Sequence, residues 1–292
     1  SIITQEGFSE PGFDSSTLAC QSVKQDAQLP SLMAFSPELV WPVIFRNKLA
    51  LDMANSFVVL ATKKNALVMN EGYLAYHFST ERLKKYCKET TFIKNNSKKI
   101  EVSTKILFRD KSLTDDNQLK FLPKAKAKYL SDGKLLSKEF AQIVNRDGWE
   151  LSEVIHYFKR YIEILKKIND EEGKQISLYD CKQHTKYIKG QFIDATPNNI
   201  VCLPNQSFVL IDTEWQLPDK FSLIRLLFRS LFHLILSVVS FGQSKDFINS
   251  ITYRDLIIKT LSGLGFKKVE DNFFTLCQSE MNFQKIISGK EE

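Results

Sequence analysis

The chain has 292 residues, 43% hydrophobic and 25% charged, a length and balance that bury a sizeable core and exclude disordered and collagen-like classes. With 40 Lys and Arg against 34 Asp and Glu the net charge is +6. That is too mild for a dedicated nucleic-acid binder, and no nucleic-acid partner is expected.

Phe is abundant at 22 copies and Gly scarce at 11, which leaves few glycines for a phosphate-cradling loop. Cys20, Cys87, Cys181, Cys202 and Cys277 are odd in number, dispersed and without a C-x-x-C pair. Neither a disulfide framework nor a zinc knuckle fits them; a reducing, cytoplasmic setting does. His77, His156, His184 and His233 show no metal-ligand spacing. The chain opens on Ser1 without a methionine or a signal-peptide pattern and reads as a piece of something longer.

In chain order, residues 1–35 are polar, carry turn residues and are expected to be mostly irregular. Ser36 and Pro37 mark a helix start, N-cap and first helical position, with the helix running through Leu51. Ser56 to Thr62 reads as a buried strand. From Glu71 to Phe108 come three β segments, Tyr73–Phe78, Thr90–Lys94 and Ile100–Phe108, the last two joined as a hairpin at Asn95-Asn96-Ser97. Between Glu81 and Lys128 there are 14 Lys or Arg and 6 Asp or Glu, a local 14 − 6 = +8. A solvated face and a phosphate-binding role are equally open readings of it.

Residues 113–125 are polar, without an apolar repeat. Tyr129 to Leu136 is a strand end followed by a turn at Gly133. Helices follow at Ser137–Val144 and Leu151–Ile168, the second stopped by Gly173. Two short strands, Asn199–Leu203 and Phe208–Ile211, flank a Pro204-Asn205 turn, and the remainder is helical. Within Phe221 to Phe241, Arg225, Arg229 and His233 recur every four residues along one face. That spacing predicts a mostly buried helix with one polar stripe; the alternative is a helix lying on a membrane surface. A β-rich part followed by a helical part gives an α+β class.

One segment concentrates chemistry. Asp194 and Asn199 flank a Pro-containing turn, and Asp212 follows 13 residues after Asn199, at the end of a hydrophobic strand. A loop and a hairpin can bring two carboxylates and a carboxamide together. Phosphoryl transfer uses such a set, to orient an acceptor hydroxyl and to supply oxygen ligands for Mg²⁺.

D-x-x-x-x-N with a later Asp after a hydrophobic strand resembles the catalytic loop and metal-binding Asp of the protein-kinase and aminoglycoside-phosphotransferase superfamily. The resemblance implies a two-lobed kinase-like fold, ATP and Mg²⁺ as cofactors, Asp194 as catalytic base, and Asn199 and Asp212 as magnesium ligands. Glu214, in I-D-x-E-W, is similar to small-molecule kinases rather than to D-F-G and joins the metal set. Lys105 resembles the lysine that pairs the nucleotide phosphates, Tyr129 to Leu135 the hinge between lobes, and Leu151–Ile168 the helix before the catalytic loop. No G-x-G-x-x-G covers the phosphates; Ser79 and Arg82, in F-S-T-E-R, offer a hydroxyl and a guanidinium there. No Glu partner for Lys105 is evident beyond Asp115 and Asp116 as substitutes.

A second resemblance covers residues 1–65. Phe35 to Trp41 followed by Asp52 to Ala61 resembles the end of class I S-adenosylmethionine-dependent methyltransferase domains in bacterial surface-polysaccharide proteins that carry a kinase-like domain behind them. It implies three regions: a methyltransferase remnant at 1–65, a β-rich lobe at 66–128 and a helical lobe at 129–292. It also implies a sugar or polysaccharide hydroxyl as acceptor, and S-adenosylmethionine only with a methyltransferase domain upstream of Ser1. The alternative is a non-catalytic kinase-like module serving such a methyltransferase.

Overall fold

Residues 1–24, 36–54, 56–59, 72–108, 118–171, 179–180, 186–247 and 251–290 are described by a computed structural model. The first part holds β1 (Ile2–Ile3), α1 (Gln5–Ser9), α2 (Ser15–Lys24), α3 (Pro37–Arg46), β2 (Tyr73–Ser79), β3 (Lys88–Lys94), β4 (Ile100–Ile106), β5 (Lys120–Phe121) and β6 (Lys126–Lys128). Then come β7 (Lys134–Leu135), α4 (Ser137–Val144), α5 (Leu151–Glu171), β8 (Tyr179–Asp180), β9 (Lys186–Ile188), β10 (Ile200–Cys202) and β11 (Phe208–Leu210). The chain ends with β12 (Trp215–Gln216), β13 (Phe221–Ser222), α6 (Leu223–Ser237), α7 (Tyr253–Gly263) and α8 (Val269–Ser288). The class is α+β.

Two compact units emerge, Ser1–Asp110 with Lys124–Asp132, and Lys111–Pro123 with Gly133–Glu292. The chain last crosses between them at Asp132–Gly133, inside the 129–135 segment. The expected boundary at residue 65 has no counterpart in these units. Lys120–Phe121 of β5 pair with β12 and belong to the second unit rather than to the β-rich region.

The first unit is built on a five-stranded sheet of order β1-β2-β3-β4-β6, antiparallel throughout. The β3–β4 turn forms where expected. The Asn95 side chain accepts from Ser97 N and Lys99 N, and Lys98 adopts φ +59°, an Asx-type turn. Residues 1–24, expected to be irregular, are ordered into β1, α1 and α2. Thr4 caps α1 by accepting from Gly7 N, and Asp14 accepts from Thr17 N at the start of α2. Phe13 and Leu18 then pack on Leu74, Ala75 and Ile100. The apolar residues of the N-terminus were too few for a periodicity signal, but the sheet supplies their partner surface.

Two other expectations change. The helix begun at Pro37 stops at Arg46, not Leu51, because the Asn47 amide donates to Val43 O and Lys48 turns to φ +61°. The buried strand at Ser56 to Thr62 is absent over 56–59, where Phe57, Val58 and Val59 are 68%, 69% and 83% exposed. High β-propensity makes a strand only against a neighbouring edge, and no described strand pairs with these residues. Leu60, Ala61 and Thr62 lie outside the described residues.

In the second unit α4 spans the expected residues, and α5 buries Val154, Phe158, Tyr161, Leu165 and Ile168 on one face. It extends to Glu171, and Gly173 lies outside the described residues. In α6 both the apolar side chains Leu226, Leu227, Phe228, Leu231 and Leu234 and the polar Arg229 are buried, in line with the buried-helix reading. Among the described residues no helix is long and apolar enough to cross a membrane.

Candidate functional site

The chemistry-bearing segment is a loop, a hairpin and a second loop. The first loop runs through two 3₁₀ turns, Gly190–Phe192 and Pro197–Asn199, on either side of Asp194. Then β10 and β11 pair with Ile200 opposite Leu210. One residue further out, Ile211 N donates to Asn199 O at 2.8 Å, so the hairpin register sets Asn199 beside the residue before Asp212. The Asn199 amide donates to Asp194 O at 3.0 Å. Asp212 is exposed and adopts φ +49°. Asp tolerates that left-handed region better than most residues, and such outliers cluster at functional turns.

Asp194 ties the two loops together. It is 4% exposed, and its Oδ2 accepts from Glu214 N at 3.0 Å and Trp215 N at 2.8 Å. The Trp215 strand is fixed in turn by β5: Leu122 N donates to Glu214 O, and Phe121 packs its ring 4.8 Å from Trp215. On the other side, the buried Tyr161 hydroxyl of α5 donates to Ala195 O and meets Ser230 Oγ of α6 at 3.0 Å. Gly190 closes the ring. Its carbonyl accepts from Leu217 N, and a Cβ there would lie 2.0 Å from Leu217 O, so only glycine fits.

A buried ionic network lies behind Asp194. Arg229 of α6 bonds Glu280 of α8 through one amino group and places the other 3.9 Å from Asp194 Oδ1. The guanidinium stacks 4.4 Å from the Phe283 ring. His233 Nε2 and Gln284 Nε2 approach Glu280 Oε1 at 3.1 and 2.8 Å. Burial pushes the Asp194 carboxyl up to about 7 against the opposing pull of Arg229. Burial acts upward on Glu280 too, but the His233 hydrogen bond and the Arg229 charge outweigh it and hold the carboxyl at about 2.

The two shifts have opposite linkage. The folded chain binds more protons at Asp194 between pH 3.8 and about 7, so that contribution to stability declines as pH rises through the window. At Glu280 the unfolded chain binds more protons between about 2 and 4.5, so its contribution is present above 4.5 and lost as pH falls. In denaturant titrations, Asp194→Asn is therefore expected to flatten the neutral limb of the stability profile, and Glu280→Gln the acid limb.

The remaining predicted residues fall on the first unit. Lys105 is exposed on β4, directly across from Glu89 of β3. The sheet register thus offers an acidic neighbour that the sequence did not suggest, while Asp115 and Asp116 lie outside the described residues. Ser79 ends β2 half-buried, and half-buried Arg82 donates to Tyr86 O at 3.5 Å in the turn that follows. The buried lysine of this sheet is Lys88, 3% exposed, which no motif singled out. Glu214 is 4% exposed and belongs to the packed junction, whereas Asp212 faces solvent.

For magnesium the donor chemistry fits in part. Asn199 retains its amide oxygen and Asp212 its exposed carboxylate, and Mg²⁺ is commonly held by one or two protein oxygens beside substrate phosphates. Among the described residues no three His, Cys, Asp or Glu side chains form a metal cage. A cleft between α4 and α5, lined by Glu139, Glu153, His156 and Arg160 among others, contains none of the motif residues. Tyr161, Ser230, Arg229 and Glu280 were missed as site residues because they lie 33 or more positions from Asp194 and share no motif with it. The Arg225-Arg229-His233 stripe was the one available signal. No family model matches the chain, and no curated protein and no solved structure does either.

Proposed function

We propose that the chain is a two-lobed, kinase-like phosphotransferase module that uses Mg-ATP on a sugar, polysaccharide or small-molecule hydroxyl. The observation that carries the reading is the junction of the three motif residues: Asn199 bonded to Asp194 and aligned with Ile211, immediately before Asp212. Asn199 and Asp212 would hold the metal, which neutralises phosphate charge when bound. Asp194 is the acidic group of the loop, and a carboxyl near 7 is matched to taking a hydroxyl proton at neutral pH. Within the first unit, Lys105, with Ser79 and Arg82 in place of a glycine loop, supplies groups of the kind that bind phosphate. The passage between units at Asp132–Gly133 supports a hinge at 129–135.

The burial of Asp194 favours a second reading. Its Oδ2 is taken by two backbone amides, so it serves as a fastener, and the chain is then a non-catalytic kinase-like module of a methyltransferase. Thermal unfolding with and without Mg-ATP separates the cases. Saturation at a hundred times Kd adds about 2.7 kcal/mol, a rise of roughly 5 °C or more. We expect that rise to require magnesium and to vanish in Asp212→Ala. Asp194→Asn should keep it, since Asn still accepts from both amides, but lower turnover about 10²- to 10⁴-fold. A wild-type chain that gains nothing from Mg-ATP would sink the phosphotransferase.

A further inference from the structure

We propose that Glu280 of the C-terminal helix α8 is a positioning residue for the Asp194 loop, acting through Arg229. The proposal rests on the phosphotransferase reading for its consequence but not for its geometry. Arg229 sits between two buried carboxylates and contacts them unequally. One amino group is hydrogen-bonded to Glu280, while the other stays 3.9 Å from Asp194, beyond hydrogen-bond reach. Glu280 itself is held by Gln284 and His233, and Phe283 supports the flat face of the guanidinium. The helix therefore holds the cation one step back. Asp194 is left to spend Oδ2 on the amides of Glu214 and Trp215, which keeps the two loops of the candidate site joined.

Removing the Glu280 charge should release Arg229 toward Asp194. Arg229 faces Oδ1 at 3.9 Å while Oδ2 holds the two amides, so closing that gap to a hydrogen bond turns the carboxylate toward α6 and strains the two amide bonds at Oδ2. Sixty-six residues away in sequence from Glu214, a side chain of α8 would thus decide the shape of the loop that carries Asp212.

Hydrogen exchange on the full chain tests this, comparing Glu280→Gln with Leu276→Ala, which disturbs the same helix without touching the network. In Glu280→Gln, protection of the Glu214 and Trp215 amides should fall about tenfold or more, and in Leu276→Ala by less than about threefold. Glu280→Leu, which also removes the carboxylate but fills the space with an apolar side chain, should reproduce the loss and serves if Glu280→Gln does not fold. Unchanged protection at both amides in a folded variant overturns the proposal, as does an equal loss in Leu276→Ala. Where the wild type turns over Mg-ATP, Glu280→Gln should lower kcat and leave the nucleotide KM within about twofold. Absence of Mg-ATP binding in the wild type would refute the kinase reading and leave the exchange result standing on its own.

Discussion

Arg229→Met is expected to destabilise the second unit by about 3–5 kcal/mol, the usual cost of breaking a buried ion pair from one side. The cost does not measure the worth of the pair. It arises because Glu280, 4% exposed, stays charged with its main counter-charge gone, leaving half-exposed His233, neutral Gln284 and the partly buried charge of Arg225 as its surroundings. Methionine fills much of the volume over Phe283, so lost packing is a minor part. The double variant Arg229→Met/Glu280→Gln should recover more than half of the loss, because the stranded charge is removed with its partner. Chemical denaturation of the two singles and the double gives the coupling directly. Additive costs would mean that the two side chains do not act as a pair.

The second large effect is at Gly190. Alanine there would place its Cβ 2.0 Å from Leu217 O and 2.7 Å from Asp219 O, and backbone cannot yield as a flexible side chain does. Overpacking costs about 1–3 kcal/mol and occasionally more; two carbonyl collisions put Gly190→Ala at the upper end, about 3 kcal/mol. Gly190 does not have a positive φ, so the requirement is for space rather than for left-handed backbone. Asparagine, which eases strain at positive φ, should therefore fare no better than alanine. Since Gly190 O also accepts from Leu217 N, the substitution should part the Asp194 loop from the strand after Glu214 and abolish any Mg-ATP stabilisation. A Gly190→Ala chain with wild-type stability would show that this close approach is not present in solution.

Local order was legible where short-range physics decides it. The β3–β4 hairpin follows from one Asn-rich turn, α4 and α5 from their apolar spacing, and β10–β11 from two apolar runs around Pro204-Asn205. The start of α3 at Pro37 needs only a fixed φ and a missing donor. Its end was misread because the chain continued apolar through Leu49 and Leu51, and periodicity does not register an Asn47 cap. The strand expected at 56–59 failed for the opposite reason, since propensity was present and a pairing edge was not.

At the candidate site, residue types and spacing alone sufficed to single out Asp194, Asn199 and Asp212, because a turn and a two-stranded hairpin are local structures with few solutions. What the Asp194 carboxylate does was decided by tertiary structure. Its burial, its two amide donors and the cation behind it come from Glu214, Trp215 and Arg229, and the anchor of that cation comes from Glu280. Those residues meet only after α5, α6, α8 and the β5–β12 pair have packed. The environment of a charge depends on everything within a few ångströms of it, and sequence separation carries no information about that distance.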